Sequence, residues 1–226
     1  MGSLEKLSLG TFLSALIAAC AAPGAKYPPV STDGLQRVQS KRADAVYWKQ
    51  GATLAGYDRV NLQACDVRFR KNWQRDQNYD RVANYSSRVT DEDMARIRAV
   101  LSDLFHEQFS AQLLQAGYQL TDDRDADVLM LKPTIMDLDI TAPDVSRHQM
   151  GRQTTYVAEA GEMTLSLEFY DALNNDLIGR AIDRRVANPA GRVQISNSVT
   201  NLSEALRILE SWSGALVDAL DEARER

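Results

Sequence analysis

The sequence predicts an α+β domain, built as a two-layer sandwich in which two long helices pack on one face of a mostly antiparallel sheet. Two long segments carry apolar residues three and four positions apart, which indicates helices with one buried stripe. Several shorter segments alternate apolar and polar residues, as half-buried strands do. The segments follow one another as strand, helix, strand, hairpin and helix, and this order indicates helices laid across a sheet.

The first strand is predicted over residues 57–69, where apolar residues alternate and then continue on the opposite phase. Such a phase change is typical of a bulge. A polar loop is expected from there to Arg88. The first long helix should begin at Thr90, which forms a capping-box pattern with Asp93, and should end before Gly117. Its buried stripe is predicted to comprise Met94, Ile97, Leu101, Leu104, Phe105, Phe109 and Leu113.

Residues 128–140 are rich in apolar side chains but contain Lys132 and Pro133, which predicts a strand near an edge or two short strands. A polar loop, 141–161, follows. The clearest strand covers 163–170 and is joined by a turn at 174–176 to a second strand, which together predict a hairpin. The last helix is predicted over 201–222, with Asn201 and Glu204 as its N-terminal signal. Its apolar stripe comprises Leu202, Ala205, Leu206, Leu209, Trp212, Leu216 and Leu220.

The N-terminal segment has the features of an export signal. The apolar run from Leu7 to Ala19 is shorter than the roughly 20 residues needed to span a bilayer, and it has the length of a signal-peptide core. The run ends in Ile17-Ala18-Ala19-Cys20, which resembles a lipobox. The resemblance implies cleavage of residues 1–19 and attachment of fatty acyl chains, such as palmitate, to Cys20. The alternative is a short buried helix with an incidental cysteine.

The residues after Cys20 give an expectation for location. Lipoproteins held in the inner membrane often have aspartate next to the acylated cysteine, whereas this chain has Ala21, so we expect an outer-membrane anchor facing the periplasm. Residues 20–49 contain prolines, glycines and scattered basic residues, and they are predicted to be a tether that becomes ordered near Val46. The basic residues could contact anionic headgroups or lie in a solvated linker. Residues 50–226 are predicted to form one domain.

Composition argues against some functions. With 26 basic and 31 acidic residues the net charge is −5, which disfavours nucleic-acid binding because that binding depends on phosphate neutralisation. If Cys20 is acylated, Cys65 has no partner within the chain. Cys65 lies in a strand-like segment and is interpreted as a small buried residue, with a reactive thiol as the alternative.

The sequence offers little for catalysis. The two histidines, His106 and His148, lack further ligands at metal-binding spacing, and we expect neither a metal nor another cofactor. The sequence has no G-x-S-x-G motif and no glycine-rich phosphate loop. Asp137 and Asp139 would share one sheet face, where they are either solvated or, with His148, the acid and base of a hydrolase. We expect that the protein is not an enzyme.

The strongest binding signal follows the first strand, where arginines and aromatic residues interleave, as at many contact sites. The candidate surface comprises Arg70, Trp73, Arg75, Tyr79 and, from the later polar loop, Arg147. In the alternative, Trp73 and Tyr79 close the end of the sheet and the arginines pair with Asp76 and Asp80. Asp183, Arg184 and Arg185 lie in a predicted strand, and we expect an internal ion pair with the helices there rather than a ligand clamp.

Several segments together resemble the DUF3313 family of bacterial lipoproteins. They are the lipobox, Tyr47-Trp48, Gly56-Tyr57-Asp58-Arg59-Val60, Phe69-Arg70-Lys71-Asn72-Trp73, Glu168-Phe169-Tyr170-Asp171-Ala172 and Ile182-Asp183-Arg184-Arg185, with Trp212 matching a tryptophan of the last helix. The resemblance covers about residues 32–225. It implies export and the fold but assigns no reaction. We therefore expect an envelope lipoprotein that acts as a binding or accessory module for a protein or cell-wall partner, with a hydrolase of envelope material as the alternative.

Overall fold

The computed structural model describes residues 26–83, 88–140, 156–157, 161–186, 194–195 and 198–224. The strands are β1 (Gln36–Val38), β2 (Ala45–Trp48), β3 (Arg59–Leu62), β4 (Asp66–Phe69), β5 (Gln119–Leu120), β6 (Val128–Asp139), β7 (Tyr156–Val157), β8 (Glu162–Asp171), β9 (Asp176–Val186) and β10 (Gln194–Ile195). The helices are α1 (Trp73–Ala83), α2 (Asp91–Gln115) and α3 (Ser198–Arg224).

Eight of the strands form one open, mostly antiparallel sheet, and this confirms the predicted α+β fold. The order is β1-β2-β9-β8-β6-β3-β5, and β4 pairs with β6 on the same side as β3. The pairings from β1 through to β6 are antiparallel, whereas β3 and β4 run parallel to β6 and β5 runs parallel to β3. Short strands β7 and β10 pair antiparallel with each other.

Helices α2 and α3 share one hydrophobic core with the sheet. Phe105 and Phe109 of α2 are fully buried, and their rings stack with centroids 3.8 Å apart. Leu209 of α3 and the inward-facing Leu129 and Leu131 of β6 are buried in the same cluster. The two predicted long helices therefore supply the apolar layer against the sheet, although Leu202, predicted to lie in the buried stripe of the last helix, is 40% exposed near the start of α3.

The ends of α2 also follow the prediction. The backbone N–H of Asp93 donates to Thr90 Oγ1 at 3.2 Å, and the backbone N–H of Thr90 donates to the Asp93 carboxylate at 3.0 Å. This reciprocal pair satisfies two backbone donors that the first helical turn would otherwise leave unpaired. At the other end, Gly117 has a φ of 87°, a left-handed conformation that favours glycine and turns the chain toward β5.

The strand expected over 57–69 is two strands, and the segment around Pro133 is one long central strand. Both β3 and β4 pair with β6, with Leu62 opposite Leu131 and Asp66 opposite Thr134. The Leu131 carbonyl accepts from the Gln63 N–H at 3.0 Å, so the backbone N–H and C=O of Leu131 point toward the β3–β4 side. Pro133, two residues further along β6, has its backbone groups on the same side. The missing N–H of Pro133 therefore faces the break between β3 and β4, where no ladder bond is lost.

The sheet begins earlier than the predicted domain boundary at residue 50. Residues 36–48, predicted to be part of the tether, supply β1 and β2, and β2 pairs with β9 through four residues. Leu35, Ala45 and Tyr47 are buried in a small cluster of their own. The folded unit therefore includes much of segment 20–49, because the exposed edge of β9 is completed by β2.

Asp183 joins β9 to α3. Its buried carboxylate accepts from Trp212 Nε1 at 2.8 Å, from Arg185 Nε at 2.6 Å and from the backbone N–H of Asp44 at 3.1 Å. Arg184 pairs instead with Glu162. The expected ion pair with the helices is therefore not formed: Arg185 pairs with Asp183 inside β9, and the contact with the helix layer is made by the aspartate through Trp212.

None of the helices in the described part of the chain is both long enough and apolar enough to cross a bilayer.

We expect Gly179→Ala to destabilise the domain. Gly179 lies opposite Trp48 in the β2–β9 ladder, and a Cβ at this position would overlap the six-membered ring of Trp48, which is held by a 2.9 Å hydrogen bond from its Nε1 to the Ala52 carbonyl. Overpacking of this kind costs about 1–3 kcal/mol. The measurement is the free energy of unfolding in urea.

Gly214→Ala is the matched control for this prediction. Gly214 lies within α3, and a Cβ there would meet nothing within 4 Å, so alanine should stabilise the helix by up to about 1 kcal/mol. If Gly179→Ala leaves the unfolding free energy unchanged or raises it, as expected for Gly214→Ala, the Trp48 contact does not limit the size of residue 179.

Candidate functional site

Arg70 joins three elements at one end of the sheet. Its backbone N–H donates to the Leu138 carbonyl at 3.1 Å, which extends the pairing of β4 with β6. Its guanidinium binds Asp139 of β6 at 2.5 Å and Asp76 of α1 at 2.7 Å. The hydrogen bond from Arg70, followed by one from Arg75, holds the pKa of Asp76 below its usual value.

Trp73 is a buried anchor and not a contact surface. The residue is 1% exposed, its Nε1 donates to the Ile140 carbonyl at 2.8 Å, and its ring stacks on Phe69 with centroids 4.3 Å apart. The segment expected to be a loop instead forms helix α1, which begins at Trp73. For Trp73 the alternative interpretation is confirmed: it closes the end of the sheet.

Arg75 and Tyr79 are exposed on α1, one helical turn apart. The Arg75 side chain is 72% exposed while it pairs with Asp76, and Tyr79 is 80% exposed. Tyr79 therefore does not close the sheet, and the pair remains available for contact. Arg147 and the Asp80 side chain lie outside the described residues.

A groove crosses the face of the sheet opposite the helices. Its volume is about 600 Å³, and the N-terminal segment 26–32 forms one of its walls. The lining side chains come from this segment, from the corner after β4 and from four strands: Lys26, Tyr27, Pro28, Ser31, Thr32, Tyr47, Arg70, Met136, Asp137, Glu162, Thr164, Arg180, Ile182 and Arg184. Of the predicted binding residues that the structure describes, Arg70 lines this groove, whereas Trp73, Arg75 and Tyr79 do not.

Carboxylates hold the groove's arginines in place. Arg180 binds Glu168 and Asp33, each at 2.6 Å, and Asp33 directly follows the N-terminal segment 26–32. Burial, and then a hydrogen bond donated to Glu168, raise the pKa of the Tyr170 hydroxyl. The paired guanidinium groups are thus fixed in direction, as binding sites that recognise planar acceptors require.

Asp137 is displaced toward the groove by an extra residue in β6. Between the pairs Ile135–Val67 and Leu138–Phe69, β6 advances by three residues while β4 advances by two. The same β-bulge appears in the pairing of β6 with β8. Asp137 has a φ of 52°, a left-handed conformation that aspartate tolerates better than most residues. Its side chain is exposed and lines the groove, and it forms no ion pair with any residue that the structure describes.

The proposed hydrolase chemistry required Asp137, Asp139 or His148 to converge. Asp137 lines the groove, Asp139 is bound by Arg70, and His148 lies outside the described residues. His106 is exposed on α2. Across the described ranges, no group of three or more histidine, cysteine or acidic side chains could hold a metal ion.

Cys65 is buried between β3 and β4, as the sequence interpretation expected. Burial raises the pKa of its thiol to about 12, although a hydrogen bond from the Ile135 backbone opposes the shift. Since the thiolate is the reactive form, Cys65 is a poor nucleophile at neutral pH.

The fold and groove define an α+β protein with one helical layer and one polar sheet face. A family model described as "Protein of unknown function (DUF3313)" matches residues 27–216, so the chain belongs to the DUF3313 family. This confirms the family resemblance. No curated protein matches the chain.

Three solved structures are similar to parts of the chain. A minor lipoprotein from Acinetobacter baumannii is 13% identical over 74% of this chain and 95% of its own, with a TM-score of 0.37. A neuraminyllactose-binding hemagglutinin homolog from Helicobacter pylori is 10% identical over 83% and 93%, with a TM-score of 0.36. The PelC dodecamer from Paraburkholderia phytofirmans is 12% identical over 74% and 95%, with a TM-score of 0.32.

Replacing Arg70 by glutamine should raise the pKa of Asp76 toward its ordinary value, because the larger of its two arginine hydrogen bonds is lost. Arg75→Gln, the matched control, should raise it less. Since the pKa is lowered in the folded protein, the contribution of Asp76 to stability is present at neutral pH and lost as pH falls through that pKa. The measurement is an NMR titration of the Asp76 carboxyl. A larger change in Arg75→Gln would contradict the assigned order of the two contacts.

Proposed function

We propose that this protein is a lipid-anchored envelope lipoprotein that acts as a non-catalytic binding module, with its acyl chains on Cys20 and its domain facing the periplasm from the outer membrane. The anchor is supported by the apolar run Leu7 to Ala19, by the lipobox-like residues that end at Cys20, and by Ala21 in the position after it. Two or three acyl chains hold a protein on a membrane far more firmly than one.

The groove carries the binding part of the proposal. It combines tyrosines and fixed arginines with an exposed carboxylate, Asp137, on a sheet face that neither long helix covers. Preorganised polar side chains cost little entropy on binding, because few rotamers remain to be fixed. The nearest carboxylates, Asp139 and Glu162, are occupied by ion pairs, which suits recognition better than proton transfer. A polar partner, such as a protein surface or a cell-wall polymer, fits this chemistry.

If Cys20 carries the anchor, the protein should show the added mass of the acyl modification at that residue. The protein recovered from membranes should begin at Cys20 and carry a diacylglyceryl group, whereas Cys20→Ala should leave an uncleaved, unacylated chain. Intact-mass measurement, together with fractionation of inner and outer membranes, tests both the modification and the location. A wild-type protein that retains residues 1–19 would exclude the anchor.

We expect loss of partner contact in an Asp137→Asn, Arg184→Gln double variant, since asparagine removes the charge and also tolerates the left-handed backbone at position 137. Asp137 is exposed and Arg184 makes a surface ion pair, so the fold should be retained. We expect crosslinking in intact cells to capture a partner with the wild type and to lose it with the double variant. The matched control is Asp122→Asn, Arg124→Gln, which makes the same charge change in the loop after β5, at the edge of the sheet opposite β1.

The exposed pair on α1 is tested in the same experiment with Arg75→Gln, Tyr79→Ala. Partners lost only with this variant would transfer the binding site from the groove to α1. Identical partners in all four proteins would reject both surfaces.

A further inference from the structure

A second feature lies at the β1 edge of the sheet, where two basic side chains pack on one tyrosine and a third lines the adjoining depression. The ammonium group of Lys26 lies 5.0 Å from the centre of the Tyr27 ring, and the guanidinium of Arg37 lies 5.8 Å from it. Arg37 and Lys41 line an open depression of about 760 Å³ that Tyr27 shares. We call Lys26, Arg37 and Lys41 the basic patch.

The charges of the basic patch are not neutralised within the described part of the chain. There, no carboxylate lies within ion-pair distance of Lys26, Arg37 or Lys41, whereas the neighbouring Arg42 is paired with Glu222 and Asp218 of α3. Within the described ranges, the Arg37 guanidinium donates to the carbonyl oxygens of Tyr27 and Asp44.

Asp44 is the one carboxylate that lines the same depression. Its side chain accepts hydrogen bonds from the Tyr27 hydroxyl and from the backbone N–H of Arg184, at 3.3 and 3.2 Å. These bonds direct it toward β9. The three cations of the basic patch therefore remain available to an external anion.

The opposite edge of the sheet has the opposite charge. The loop between β5 and β6 carries Asp122, Asp123, Asp125 and Asp127. Asp123, Asp125 and Asp127 all bind the Arg59 guanidinium, at 2.7–2.8 Å. The four aspartates outnumber the two arginines of this region, Arg59 and Arg124, so the net charge there is negative. The molecule is therefore basic at the β1 edge and acidic beyond β5.

Chain length places the basic patch close to the proposed anchor. Six residue steps separate Cys20 from Lys26, and an extended chain of that length spans at most about 20 Å. Seven strands at a spacing of about 4.8 Å separate the two edges of the sheet by roughly 30 Å. The β1 edge is thus the edge that the anchor holds nearest the bilayer.

We propose that the basic patch docks on anionic phospholipid headgroups of the membrane that holds the anchor, so that the β1 edge faces the bilayer and the acidic edge faces away. This inference rests on the proposed acylation of Cys20. Lys26 and Tyr27 also line the groove, so docking sets the groove beside the membrane surface. Each basic side chain close to an anionic surface increases the docked population about fivefold at low salt.

The test uses the acylated full-length protein in vesicles that carry a headgroup-linked quencher. A fluorescent label is attached to Gln39→Cys, beside the basic patch, or to Asp122→Cys at the acidic edge; both sites are exposed, whereas Cys65 is buried. The vesicles contain phosphatidylcholine alone or phosphatidylcholine and phosphatidylglycerol in equal parts. We expect quenching at position 39 only with phosphatidylglycerol, little quenching at position 122, and loss of the difference in about 1 M salt, where screening acts over about 3 Å.

Matched variants distinguish local charge from net charge. Lys26→Gln, Lys41→Gln should lower the docked-to-undocked ratio about 25-fold. Lys71→Gln, Arg124→Gln makes the same net change away from the basic patch and should leave that ratio unchanged. Equal quenching at both label positions, or equal loss in both double variants, would overturn the docking.

The mass of Cys20 separates failure of the anchor from failure of the docking. An acylated protein without selective quenching at position 39 rejects the docking and leaves the proposed function standing. A protein without acyl chains rejects the anchor, and the docking with it.

Discussion

The pairing of β4 with the second half of β6 is the constraint on which both the sheet and the candidate site depend. It sets the backbone of Arg70 against Leu138 and thereby brings Trp73 to the Ile140 carbonyl and the Arg70 guanidinium to Asp139. Because β4 ends there, the chain can turn directly into α1. Without this register, the buried tryptophan would lack its acceptor.

The same strand explains why the two faces of the sheet differ. The extra residue in β6 keeps Leu138 in the core and moves Asp137 to the groove, so one backbone irregularity serves both layers. The helix face is closed by α2 and α3, with Trp212 bound to Asp183. The other face is crossed by the N-terminal segment, which Asp33 ties to Arg180. A polar groove results where the segment leaves the sheet uncovered.

Long periodic segments were predictable, and short or context-dependent ones were not. The apolar stripes of α2 and α3 and the alternation in the β8–β9 hairpin repeat a periodic pattern over many residues, and the cap at Thr90 depends on residues only three positions apart. Strands β1 and β2 have three and four residues, too few for a pattern, and α1 is mostly polar. Pro133 suggested an edge strand because proline has no N–H to donate to a neighbouring strand. In the fold its nitrogen faces the break between β3 and β4, and the sequence does not show which neighbour a residue faces. For Trp73, an aromatic residue among arginines looked like a contact surface, whereas the buried carbonyl that it binds lies 67 residues away.

Charge shows the same limit in a different form. The net charge of −5 would predict weak repulsion from any anionic surface, and it says nothing about where the charges lie. The fold separates Lys26, Arg37 and Lys41 from the aspartates of 122–127 by nearly the full width of the sheet, which is more than a screening length at physiological salt. At that separation a membrane near the β1 edge interacts with the basic patch and is screened from the aspartates. The charge of the nearest edge, and not the net charge, therefore decides the interaction. A groove that opens beside the basic edge would then meet its partner near the membrane, where a short tether limits how far the domain can turn.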